Sequence, residues 1–341
     1  MASNKSPIGL NKVQNYWMRT LKIKLYSKLY NVAPLIFGYN DEMTDDEKRK
    51  FPNANINQLD ITVTSSKELS ALKDGGTITI SNLTYADIVR IIEGQFYKVE
   101  IYVGYKTTGM MCFAKGEIAY ISNKIRMRRD HTCIIIFASE FVAQYSQGRI
   151  NLNYNSGINL YSAFKYLFLT NGISNTHLPE SLKQETLKDI TSLSGTCASL
   201  SEQLANNTRD FSLNTDSSAE NIVIDCSNLS DKRQIKIDSH TINFRNGNPT
   251  LSSNGLNISV MPLWNFKPGD IIIIDNAIID LSESSLSGAQ SNFKANYLDQ
   301  DGAYIITKVE NQFQNRGSSF ECNLIAYSIH KISNIIGGTV T

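Results

Sequence analysis

The chain has 341 residues, with 41% apolar and 19% charged side chains and a net charge of +1. It is long enough for two or three domains with their own cores, and its composition is neither that of a disordered chain nor that of a membrane-spanning one. A net charge this small excludes the strong field that holds nucleic acid by its phosphates, but leaves room for a pore through which DNA passes.

Residues 1–15 are polar and read as an N-terminal arm. Met1–Pro7 lacks the apolar run of a signal peptide. No segment approaches the ~18 apolar residues of a transmembrane helix, so no membrane anchor is expected. Leu21–Tyr26 alternates strictly and predicts the first strand. Asn40–Lys50 is charged and reads as an exposed loop with a turn capped by Thr44. Leu59–Val63 predicts a second strand. The Asp74-Gly75-Gly76 turn leads into a third, Thr77–Leu83, which stops at Ser81-Asn82. A helix start follows at Thr84–Val89. Strands are predicted at 96–104 and 110–121, the latter crossing Gly116. Cys133–Ala138 is a continuous apolar run, the mark of a strand covered on both faces. Six strands and one short helix predict an antiparallel β domain over 16–145, a barrel or half-barrel.

The period then changes. Leu160, Ala163, Phe164, Leu167 and Phe168 recur at helical spacing between Ser156-Gly157 and Asn171-Gly172. A second helical pattern surrounds Leu200–Leu204. Residues 174–198 between them are rich in Ser, Thr and Leu and read as a partly helical insertion. Short strands are expected at Ile222–Asp225 and Gln234–Ile237, and a turn at Asn246–Pro249. Residues 146–255 thus form a mixed α/β middle domain. Strands return over 256–331. Leu256–Val260 alternates, Trp264–Asp270 turns into Ile271–Asp275, and a polar loop spans about 281–296. Gly302–Val309 and Phe320–Ala326 pair through the Asn315-Arg316-Gly317 turn. Residues 332–341 read as a tail. The fold class is mainly β, with two β domains flanking the mixed middle.

The chain offers little chemistry. His131, His177, His240 and His330 lack partners at metal-ligand spacing. Cys112, Cys133, Cys197, Cys226 and Cys322 form no CxxC pair and read as isolated buried thiols of a reducing compartment. Phosphate-loop, zincin and nucleophile-elbow motifs are absent. Glu93, Glu100, Glu117, Glu140 and Glu180 are not marked as a catalytic carboxylate pair. No cofactor and no catalytic residue is expected. The basic run Lys124, Arg126, Arg128 and Arg129 joins two strands. It is either a solvated hairpin connection or a positive rim facing an acidic partner or passing DNA. Tyr16, Trp17, Tyr26, Tyr30, Phe37 and Tyr39 cluster early and suit a core or an interface.

Taken in order, these segments resemble the tail hub proteins of bacteriophage baseplates, and the hub half of type VI secretion spike proteins. A strand ending in Asn82-Leu83 leads into a short helix. A strand ending in Gly104-Tyr105 and a strand through Gly116 follow. A second domain opens on Pro268-Gly269-Asp270 and continues from Gly302 through Val309. The family's usual His after that strand is Asn311 here. The helix from Gly157 to Gly172 matches the domain between the halves. The resemblance covers roughly residues 20–330. It implies two tube-type β-barrel-like domains per chain in a homotrimer. Its six similar units would adapt a sixfold tail tube above to a central spike below, with other baseplate or tail-tip proteins around it. It also implies a virion component made in the host cytoplasm, with phage DNA passing through and not bound specifically. A tail-associated cell-wall-degrading enzyme and a β-sandwich receptor- or carbohydrate-binding module are the alternative readings.

Overall fold

A computed structural model of the protein describes residues 19–29, 32–39, 59–68, 75–106, 108–126, 130–138, 149–173, 176–178, 180–189, 191–206, 211–216, 220–225, 233–243, 246–252, 255–280 and 301–328. The N-terminal arm, the 40–50 loop, the 281–296 loop, the 332–341 tail, Arg128, Arg129 and Cys226 lie outside these residues.

The first β section contains β1 (Arg19–Ser27), β2 (Leu35–Gly38), β3 (Asp60–Glu68), β4 (Gly75–Leu83), helix α1 (Tyr85–Glu93), β5 (Phe96–Tyr105), β6 (Gly109–Arg126) and β7 (Asp130–Ala138). The middle body contains β8 (Arg149–Tyr154), α2 (Leu160–Thr170), β9 (Thr176–His177), β10 (Thr191–Thr196), α3 (Cys197–Asn206), β11 (Phe211–Asp216) and β12 (Glu220–Asp225). The last section contains β13 (Gln234–Ile237), β14 (Thr250–Ser252), β15 (Gly255–Val260), β16 (Ile271–Ile274), β17 (Ala303–Gln314) and β18 (Phe320–Ser328).

Strands of both β sections belong to one 13-stranded sheet, in the order β14-β15-β18-β17-β3-β4-β7-β6-β5-β1-β2, with β16 and β13 branching from β17. The mainly β class is as expected; of the two expected barrel-like domains, neither closes by itself among the described residues, because the sections share one sheet. The physical reason is β17. Its first residues, Ala303–Ile305, pair with β16. After a register shift between Ile306 and Lys308, residues Lys308–Gln314 pair with β3. One strand thus carries the hydrogen-bond ladder across the section boundary. β6 turns a corner in the same way. Its first half pairs with β5 and its second with β7. The change of partner falls beside Gly116, where a Cβ would lie 2.3 Å from the Ala138 carbonyl oxygen.

Alternation builds a single core from both sections. Leu21, Ile23 and Leu25 of β1, Val99, Ile101 and Val103 of β5, and Tyr304, Ile306 and Val309 of β17 share it. The middle body has its own core, running from Leu152 to Leu204 and centred on Phe164 and Phe168 of α2. Helix α2 starts where Asn159 accepts from the Ser162 N–H at 2.8 Å. It ends at Asn171, followed by Gly172 with φ 76°. The Ser/Thr-rich stretch at 174–198, expected to be partly helical, holds among its described residues β9, one 3-10 turn (Glu180–Lys183), β10 and the start of α3. The hydroxyls of Ser192 and Ser194 bond across to Asn153 and Asn151 of β8, so the polar composition serves a strand pair. The apolar run in β7 is also not covered on both faces, since Ile136 is 43% exposed beside Tyr120 of β6 at 58%.

Candidate assembly surface

Asn82, with φ 65°, sits at a register shift in β4. This is a left-handed position that Asn tolerates better than most residues. The shift turns Leu83 into the core at 1% exposure and delivers the chain to Thr84. Thr84 and Asp87 then form a reciprocal capping box, each side chain accepting from the other's backbone N–H.

Gly104 packs where a Cβ would meet the Gly109 carbonyl oxygen at 2.0 Å. The neighbouring Tyr105 is 3% exposed and meets Phe320 edge-on at 5.6 Å. Phe320 also contacts Phe313 at 5.5 Å, and Phe313 contacts Phe113 at 5.0 Å. The tip of the β17–β18 hairpin therefore plugs the first section with two aromatic rings. Arg19 locks the same place, its guanidinium 5.1 Å from the Phe320 ring centre and donating to the Gly317 carbonyl at 3.1 Å.

Pro268, Gly269 and Asp270 form the turn that grips β17 from the other side. The Gly269 N–H donates to Ile306 O at 2.7 Å, and the Ile306 N–H donates to Asp270 O at 2.9 Å. Gly269 has φ 90°. The Asp270 carboxylate takes Arg233 in a two-pronged ion pair and caps the Lys267 N–H at 2.8 Å. Burial pushes its carboxyl above the ordinary value against the pull of Arg233. At Gly302, φ is 68°, and a Cβ would lie 2.2 Å from Ile274 O. Tyr105, the 268–270 turn and Gly302, far apart in sequence, all act on the β17–β18 hairpin or its frame.

A further junction residue carries no sequence signal. Lys67 of β3 points into the core at 2% exposure. Its ammonium donates to Phe113 O at 3.1 Å and Asn265 Oδ1 at 3.0 Å, and Asn265 donates on to Cys112 O at 3.1 Å. The segment Ser65-Ser66-Lys67-Glu68 reads as an ordinary polar strand end, and only its pairing with β17 reveals that Lys67 is enclosed.

The sheet face opposite the core is dominated by hydroxyls and amides across the junction. Thr62 and Thr64 of β3 and Thr77, Thr79 and Ser81 of β4 alternate along their strands with the buried Ile61, Val63, Ile78 and Ile80. Gln312 and Gln314 of β17 and Asn323 of β18 continue the surface. Lys308 is neutralised between Glu68 at 3.2 Å and Glu310 at 2.8 Å. A groove of about 410 Å³ opens here beside Thr64, Ser66, Gly75, Glu310 and Gln312.

Toward β1 the same face becomes basic. Glu100 accepts from the hydroxyls of Tyr26 and Tyr102, both at 2.7 Å, and pairs with Lys115 at 3.4 Å. Burial opposes its charge, but the two phenols and the ammonium outweigh burial and hold the carboxyl below its ordinary value. Lys22 and Lys24 sit over the Tyr102 ring at 5.0 and 5.5 Å. Lys124 and Arg126 lie at the end of β6, opposite Thr132 and Asp130.

Among the described residues no group of three or more His, Cys, Asp or Glu is placed to hold a metal ion. Burial pushes the Cys133 and Cys197 thiols up to about 11 and 12, which makes them poor nucleophiles at neutral pH.

No protein-family model and no curated protein sequence matches the chain. Solved structures do. The 43 kDa tail protein of prophage MuSo2 from Shewanella oneidensis is similar with a TM-score of 0.53 at 9% identity, over 92% of this chain and 98% of its own. This is a phage tail-protein fold. The tail protein from Neisseria meningitidis is similar with a TM-score of 0.50, also at 9% identity, over 92% of this chain and 97% of its own. Both likenesses span the two β sections and the middle body, so the architecture is shared as a whole.

Proposed function

We propose that the chain is a structural hub of a phage tail tip or baseplate. Three copies form a pseudo-sixfold ring that joins the tail tube to the central spike and surrounds the DNA channel. The wall units are residues 16–145 and the last β section, to which β13 and β14 contribute; the middle body projects from them. The observation that carries this reading is the hydroxyl- and amide-rich sheet face that continues from β4 through β18 across the section boundary. Such a face hydrates well and presents few free cations, so a phosphate polymer slides past it without the counterion release that drives tight binding. The shared tail-protein fold supports the same reading. Ring closure would also cover the open ends of the sheet, which are otherwise templates for aggregation.

The test combines mass by light scattering with negative-stain images. A trimeric mass and a threefold ring with a central hole are expected. A stable monomer that degrades purified cell wall would overturn the proposal in favour of an enzyme.

A further inference from the structure

Among the described residues three short strands end the sheet, β14 beside β15, β2 beside β1 and β13 beside β16, and the last two have opposite surroundings. Among the described residues β2 bonds only to β1, and β13 only to β16. Both edge strands are four residues long. Beside β2, β1 places Lys22 and Lys24 opposite Gly38 and Ile36, and exposed Lys28 follows directly. Beside β13, the parallel pair ends at Ile237 and Ile274, so exposed Asp238 and Asp275 emerge side by side. Asp301 precedes Gly302, whose carbonyl accepts from the Ile274 N–H at 2.9 Å, and joins them. Lys236 and Arg233 are the cations at that edge, Arg233 being paired with Asp270.

The wider sequence shows the same polarity. Residues 16–145 carry 17 Lys and Arg against 14 Asp and Glu, whereas residues 233–331, which take in β13 and β14, carry 8 against 9. The first section is thus net positive and the last slightly negative. In a ring of repeating copies, the two sections alternate, and every contact between copies joins a positive section to a negative one.

We infer that the β2 edge of one copy docks on the β13 edge of the next, with Lys24 and Lys28 facing Asp238 and Asp275. The contact is head-to-tail, so it closes rings and not twofold dimers. Like-signed edges repel, which disfavours β2–β2 and β13–β13 pairing. This inference rests on the ring reading above and names the surfaces that make it.

The test is charge exchange followed by light scattering. Lys24→Glu with Lys28→Glu, and separately Asp238→Lys with Asp275→Lys, should each weaken assembly by about tenfold or more at low salt. All four changes in one chain reverse both edges together and should restore the wild-type mass. Asp238 accepts from the His240 and Thr241 N–H groups, and Asp275 from the Ala277 N–H. Asp238→Asn with Asp275→Asn keeps those acceptors and should weaken assembly without loss of circular dichroism. Raising NaCl from about 50 mM to about 500 mM shortens the screening length roughly threefold and should weaken wild-type assembly. If the charge-exchanged and Asn variants assemble like wild type, the edge pairing is wrong and the ring survives. If the four-change chain stays monomeric while the Asn variant assembles normally, the pairing is also wrong. A wild-type chain that is monomeric at every salt concentration overturns the ring reading itself.

Discussion

The core of the middle body runs from Leu152 to Leu204 and draws on neighbouring elements in the chain. The core of the large sheet joins Leu21 to Ala326. Its decisive pairing sets Val63 opposite Phe313. The middle body is thus a local structure, whereas the large sheet is completed only when the last section reaches back to the first. The difference teaches where cooperativity lies. Damage in the middle body should stay there, and damage at the junction should spread to both β sections.

The sharpest way to break that comparison is a pair of cavity variants. Phe313→Ala removes the ring between Phe113 and Phe320 and should cost about 3–5 kcal/mol. Amide exchange should then speed up in β3 and β6 as well as in β17 and β18. Phe164→Ala should cost a similar amount, with faster exchange confined to α2, α3 and their strands. Equal spreading from both variants would show that the two cores unfold as one. A smaller effect comes from the helix caps. Asn159→Ala and Thr84→Ala should each cost about 1 kcal/mol. Exchange measurements should place the first in the middle body and the second in the large sheet. The smallest is electrostatic. The folded Glu100 carboxyl titrates below its ordinary value of 4.5, so its stabilisation is present above that value and is lost as pH falls through the folded one. Glu100→Gln should be less stable than wild type at neutral pH, and the gap should close on acidification. A constant gap would assign the loss to packing instead.

Much of this was legible in the sequence where the pattern was local. Alternation located β1, β3, β4, β5, β15 and β18, and the 3.6-residue spacing located α2. Strands β2, β8, β10 and β11 were not anticipated. β2 has only four residues, and β10 sets a single apolar residue, Leu193, among Ser, Thr and Gly, which leaves no apolar alternation to read. The apolar run in β7 suggested burial on both faces, but one side of Ile136 is open. The motif positions Tyr105, Gly116, Asp270 and Gly302 were recognisable singly. Their common dependence on the β17–β18 hairpin was not, because strand pairing over such a separation leaves no periodic trace. Lys67 was hidden for the same reason.

The lateness of β17 has a consequence for synthesis. Residue 308 leaves the ribosome some 240 positions after its partner Glu68, roughly 12–50 s at about 5–20 residues per second. Throughout that interval β3 lacks the partner that fills its outer edge. The same delay acts as a checkpoint. A chain terminated before Ala303 lacks the strand that seals the first section.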